Sequence, residues 1–188
     1  AAGQVILISS SGKTLWTKQL PAPSIRPPII WRGSAWVLAG RGILCLDLSD
    51  GRTIWSRNES AATQLVTPAV SKGILFHGTR MGIQARIATN GQPVWTNPSI
   101  SAWGAALVVL EDNLLVQHRN YRTRSSFLAC LDTGSGATRW TREIPHEANI
   151  FAPLVVGERV FQAAHDTLAV FSLRDGTSIT NIRFSAPL

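Results

Sequence analysis

Five glycines set the ruler for this chain: Gly12, Gly51, Gly91, Gly136 and Gly176, spaced 39, 40, 45 and 40 residues apart. Before the second of them, Ile43-Leu44-Cys45-Leu46-Asp47 alternates apolar with polar, and Arg52-Thr53-Ile54-Trp55 follows it as a short strand. Two period-2 runs about an Asp-Gly turn read as a β-hairpin. Phe127-Leu128-Ala129-Cys130-Leu131-Asp132 leads through Gly136 to Trp140 with the same offsets. Fainter copies pair Gly12 with Trp16 and Gly91 with Trp95, and the copy at Gly176 carries Thr180 where the others carry Trp. Strand-rich self-similarity at about 40 residues predicts β-propeller blades and excludes helical solenoids.

Each full repeat divides into four strands. The second predicts strands over 27–32, 35–40, 43–48 and 52–56, and the third over 66–70, 74–78, 82–88 and 93–96. The fourth predicts them over 105–110, 114–118, 126–131 and 138–142, and the fifth over 153–156, 160–164, 167–173 and 178–183. In the first repeat only the outer pair is present, over 4–8 and 13–18. The expected fold is therefore all-β: four-stranded antiparallel blades, about four and a half of them, forming a partial ring or one completed in trans. The repeats fall at approximately 1–20, 22–57, 64–98, 102–143 and 150–184 of a single propeller segment, 1–188.

Composition fits a globular chain: 45% of residues are hydrophobic and 15% charged. No apolar run approaches the ~20 residues of a membrane-spanning helix, and Ala1-Ala2-Gly3-Gln4 lacks the pattern of an intact signal peptide. The net charge of +7 favours acidic partners. Cys45 and Cys130 occupy the same slot two repeats apart, too distant for a disulfide, and read as small buried residues.

The pattern of a small residue, Asp at the third place, Gly at the seventh and Trp at the eleventh resembles the tryptophan-docking motif of PQQ-like (quinoprotein-type) β-propellers. Cys45, Asp47, Gly51 and Trp55 match it, as do Cys130, Asp132, Gly136 and Trp140. Gly12 with Trp16, and Ala85 with Gly91 and Trp95, match in part, with Ile8 and Ile87 in the Asp slot; the fifth copy keeps Gly176 alone. The resemblance implies that Trp16, Trp55, Trp95 and Trp140 are structural, each indole packing between neighbouring blades. A buried indole suits that role, since it supplies a large apolar area and needs one acceptor for its N–H.

The family's enzymes are dehydrogenases that hold pyrroloquinoline quinone and calcium on the propeller axis beneath a disulfide of adjacent cysteines. This chain has no adjacent cysteines, and no acid falls within an expected innermost strand. The resemblance thus implies no enzyme, no catalytic residue, no bound cofactor and no metal site. It implies instead a protein–protein interaction scaffold like the non-catalytic, BamB-like members, in an extracytoplasmic (periplasmic or secreted) setting, with another chain as a candidate to complete the ring. A fragment of a PQQ-dependent dehydrogenase and an extracellular ligand-sensing domain are the alternatives.

His77, His118, His146 and His165 lack metal-ligand spacing, and three of them end or leave second strands, which reads as a solvated rim. The long step in the ruler holds an insertion, His118-Arg119-Asn120-Tyr121-Arg122-Thr123-Arg124-Ser125. It reads as a protruding basic loop over 118–125 that contacts an acidic partner surface through Arg119, Tyr121, Arg122 and Arg124. With one short basic cluster and its Trp residues assigned to the interior, the chain does not read as a nucleic-acid binder.

Overall fold

Every repeat forms one antiparallel sheet. The computed structural model describes residues 3–24, 26–40, 42–58, 66–79, 81–100, 106–120, 123–144 and 151–185. The first blade contributes β1 (Gln4–Ile8) and β2 (Thr14–Gln19), paired with each other. The second is β3 (Ile29–Trp31), β4 (Ser34–Ala39), β5 (Gly42–Asp47) and β6 (Thr53–Asn58), and the third is β7 (Ala69–Ser71), β8 (Ile74–Thr79), β9 (Gly82–Ile87) and β10 (Pro93–Asn97). The fourth is β11 (Ala106–Leu110), β12 (Asn113–Asn120), β13 (Ser125–Asp132) and β14 (Thr138–Ile144), and the fifth is β15 (Leu154–Val156), β16 (Arg159–Ala164), β17 (Thr167–Ser172) and β18 (Ser178–Arg183). Strands pair in chain order within each four-stranded sheet. First strands of successive blades lie against one another, β7 beside both β3 and β11, which places them innermost. The sheets do not close on themselves, so the fold is a partial propeller ring.

Alternation in the strands decides which residues each blade shows to its neighbours. Trp36, Cys45 and Trp55 of the second blade pack with Leu75 and Ala88 of the third. Phe76 and Ala85 of the third then meet Leu114, Val116, Ala129 and Leu131 of the fourth. Leu115, Cys130 and Trp140 of the fourth meet Val160, Ala169 and Phe171 of the fifth. Both cysteines are buried free thiols in these seams, and burial pushes each up to about 11. The core is therefore a series of seams between sheets, with five to ten buried side chains in each.

Every seam is fastened at its outer end in the same way. A Cβ built on Gly51 would lie 2.7 Å from the Trp16 ring, one on Gly91 2.8 Å from Trp55, one on Gly136 2.5 Å from Trp95 and one on Gly176 2.7 Å from Trp140. No residue but glycine fits, and all four also take a left-handed φ between 69° and 73°. The indole N–H groups donate to the carbonyls of Leu48, Ala88, Thr133 and Leu173 at 2.8–3.0 Å, always three residues before that glycine. Two positions beyond the Trp, a polar side chain makes a second crossing in three of the seams. Arg57 donates to Asn90 O at 3.2 Å, Asn97 to Gly136 O at 2.7 Å, and Arg142 to Gly176 O and Asp175 O at 2.8 and 2.9 Å.

The turns themselves are braced by carboxylates. Asp132 accepts from the amides of Gly134 and Ser135 and pairs with Arg139, which holds its carboxyl down at about 2. Asp47 accepts from the Ser49 amide at 2.8 Å. The first blade departs from this form. Its turn closes from Gly12 N–H to Ser9 O, whereas Gly51, Gly91, Gly136 and Gly176 each donate four residues back. The turn is one residue shorter, so Ser9 and not Ile8 fills the Asp slot.

Two histidine expectations are overturned. His77 and His118 are buried, at 1% and 7% exposure, because they sit on the seam-facing sides of β8 and β12 and not on a wet rim. His165 is exposed, and His146 lies outside the described residues. His77 accepts from Arg86 Nε at 3.2 Å, and burial together with that guanidinium lowers it to about 3. Burial lowers His118 to about 4.

Two predictions follow from these seams. Trp55→Ala should destabilise the chain by about 3–5 kcal/mol, and Gly136→Ala should exceed Gly12→Ala, whose added methyl meets nothing within 4 Å and costs only about 1–2 kcal/mol of backbone strain; urea unfolding measures all three. For the histidines, the unfolded chain binds protons below the ordinary 6.5 while the folded one resists until about 3–4. Stability should therefore be full above pH 6.5 and decline from there toward pH 4. Melting temperatures across that window should flatten in a His77→Gln/His118→Gln chain.

Candidate functional site

Surfaces, not clefts, stand out on this ring. In the second, third and fourth blades one cross-strand row faces the following blade: Ile29–Trp36–Cys45–Trp55, Ala69–Phe76–Ala85–Trp95 and Val108–Leu115–Cys130–Trp140. The corresponding row of the fifth blade is Leu154–Phe161–Val170–Thr180. Its centre, Val170, is buried, but Leu154 is 62% and Val156 59% exposed on the innermost strand, and Ile182 is exposed on the outermost one. Thr180 stands where the other rows carry Trp, and Ile182 where Arg57, Asn97 and Arg142 reach across. This face carries exposed Leu154, Val156 and Ile182 with Arg159 opposite Val156, and it lacks both fastening groups. On the first blade Ile6 and Ile8 are exposed, and Gly12 has no ring against it.

The insertion in the fourth blade takes a different form from the loop expected over 118–125. His118, Arg119, Asn120 and Ser125 extend the strands: β12 and β13 are eight residues long, with Arg119 opposite Ser126 and Asn120 opposite Ser125. Paired backbone groups explain the extension, since each added cross-strand pair satisfies polar groups that a loop would leave to water. Arg124 is exposed in the turn with φ 58°, Arg119 is half-buried in β12, and Tyr121 and Arg122 lie outside the described residues. Arg119 and Arg124 flank the terminal Asn120–Ser125 pair of this hairpin, one within the ladder and one in the turn beyond it.

Chemistry-bearing groups are dispersed. Among the described residues no three His, Cys, Asp or Glu converge as metal ligands, and no helix is long and apolar enough to cross a membrane. Cys45 and Cys130 lie in separate blades, so the residues present do not fit the adjacent-cysteine bed of a quinone cofactor. The crossing residues Arg57, Asn97 and Arg142 were not singled out by sequence reasoning. Their constant offset of two from the Trp is the signal that identifies them.

Comparison with known proteins agrees with this architecture. No curated protein sequence matches the chain. Among solved structures, BamB from Moraxella catarrhalis superposes with a TM-score of 0.76 at 18% identity, over 98% of this chain and 59% of that one. A europium-containing methanol dehydrogenase does so at 0.73 and 14% identity, over 92% of this chain and 44% of that one. The computationally designed Ika8 protein gives 0.68 at 14% identity, over 94% and 54%. The chain therefore spans between 44% and 59% of these structures, and at such identities they show the propeller fold alone. The family described as outer membrane protein assembly factor BamB matches residues 1–179, and the chain belongs to that family.

Proposed function

We propose that this chain is a non-catalytic protein–protein interaction scaffold, working outside the cytoplasm in the assembly of envelope proteins. The observation that carries the reading is the apolar face of the fifth blade. Leu154 stands open where its counterparts Ile29, Ala69 and Val108 are half-buried, and Val156, two residues on, is open as well. Exposed apolar area of this kind marks an interaction surface. Membership of a family described as an assembly factor supports the same reading, as does an excess of positive charge that suits acidic partners. The basic hairpin, with Arg119, Tyr121, Arg122 and Arg124, is the second proposed contact.

Light scattering with intact mass spectrometry tests the first contact. Wild-type chain should associate, with itself or with a co-purifying polypeptide, and Leu154→Glu/Val156→Glu should run as a 20.4 kDa monomer. A wild type that stays monomeric at all concentrations would count against the open face as a docking surface. For a partner so obtained, replacing Arg119, Arg122 and Arg124 by Ala should weaken binding about tenfold, or ~1.4 kcal/mol. Unchanged affinity in 0.1 M salt would remove the hairpin from the interface.

A further inference from the structure

We infer that a slot between the third and fourth blades binds an aromatic side chain of a partner polypeptide, tryptophan by preference. The second blade shows what such a slot holds. Trp31 ends β3 and points, like Ile29 two residues before it, toward the third blade. Its ring reaches the first turn of that blade, where a Cβ built on Gly73 would lie 3.8 Å away, and Arg32 stacks over it at 4.7 Å. One blade on, Ser71 holds the place of Trp31 at the end of β7.

The two turns share one backbone. Arg32 and Gly33 have φ of 44° and 77°, Lys72 and Gly73 of 48° and 78°. The Cα–Cβ bond of Ser71 is therefore aimed into its seam as that of Trp31 is, and a hydroxymethyl group stands where the other seam carries an indole. A cavity of about 270 Å³ opens there. Ser71, Ile74 and Phe76 line it from the third blade, and Glu111, Asp132 and Thr133 from the fourth. Lys72 and Asp112, paired at 2.9 Å, hold the two turns together beside it. Ser71 and Ile74 are half-buried and Glu111 is exposed, so a group entering from solvent reaches all three, while buried Phe76 closes the floor. The volume falls below the roughly 300–1,000 Å³ of a drug-sized site and suits one ring system.

The lining selects the chemistry of the ring. Ile74 and Phe76 offer apolar and aromatic contact. The carboxylates of Glu111, Asp112 and Asp132 outnumber the single ammonium of Lys72, which turns an anion away. Asp132 stays ionised, because Arg139 and the N–H groups of its own turn hold it at about 2. An indole meets both demands, with a flat apolar face and one N–H for the Ser71 hydroxyl or the Glu111 carboxylate. Tryptophan is also the side chain most often found anchoring a partner in a pocket of this kind. The polypeptide source rests on the scaffold reading; the slot and its preference for an aromatic ring do not.

Methyl NMR of the whole wild-type chain, read at the Ile74 δ1 methyl, tests this with N-acetyl-Ala-Trp-Ala-amide, its Leu counterpart and free indole as probes. The Trp peptide should move that methyl saturably by ring current and bind at least about tenfold more tightly than the Leu peptide. Ser71→Trp fills the slot from within, and Ser71→Leu closes it without an indole; each should abolish the response to the Trp peptide. Equal binding of the Trp and Leu peptides would overturn the aromatic assignment. Saturation by indole without any response to the Trp peptide would overturn the polypeptide source and count against the scaffold reading too. No response to any probe, or one that survives both substitutions, would overturn the slot while leaving the fifth-blade face to its own test.

Discussion

An indole lying on a glycine is the contact that the rest of this ring depends on. A four-stranded sheet of six-residue strands has two faces and little interior, so no blade holds a core by itself. Stability arises in the seams, and a seam stays filled only while neighbouring sheets keep their angle and separation. The Trp fixes both. Its ring bears on a turn where a methyl group would already collide, and its N–H fixes that turn's carbonyl at 2.8–3.0 Å. The turn must in turn be rigid, which explains the carboxylates of Asp47 and Asp132 bonded into their own loops.

This coupling joins elements remote in sequence through a single repeat length. Trp140 bonds to Leu173, and Arg142 adds bonds to Asp175 and Gly176 in the same turn. Polar crossings cost little at such positions because the backbone carbonyls they reach would otherwise face water. The fourth and fifth blades are thereby held by apolar filling, an indole and a guanidinium at once.

Much of the fold was legible because its determinants are local. Gly51, Gly91, Gly136 and Gly176 mark turns whose φ only glycine adopts freely, and alternation about them placed strand after strand to within about two or three residues. Legibility failed where a tertiary neighbour decides. Whether His77 and His118 are wet or dry depends on the adjoining blade, which no run of residues around them reveals. The shorter turn at Ser9 was hidden because its glycine and Trp keep the usual offset while one residue is lost between the strands. The insertion at 118–125 read as a loop because it lengthens the glycine spacing to 45 residues, yet His118, Arg119, Asn120 and Ser125 pair across β12 and β13. For the site, the loss of Trp at Thr180 was visible, whereas the exposure of Leu154 and Val156 was not.

The seams also give the molecule a direction. The first four blades present a donor side carrying Trp, in three cases with a crossing Arg or Asn, and the second to fifth a receiver side carrying the turn glycine. Such head-to-tail surfaces are heterologous, and a repeating unit with both ends intact is a template for open filaments. Thr180 and Ile182 break the series on one side, and the shortened Ser9–Gly12 turn alters it on the other. At the fifth and first blades the sequence thus withholds the matched pair of surfaces that head-to-tail propagation requires.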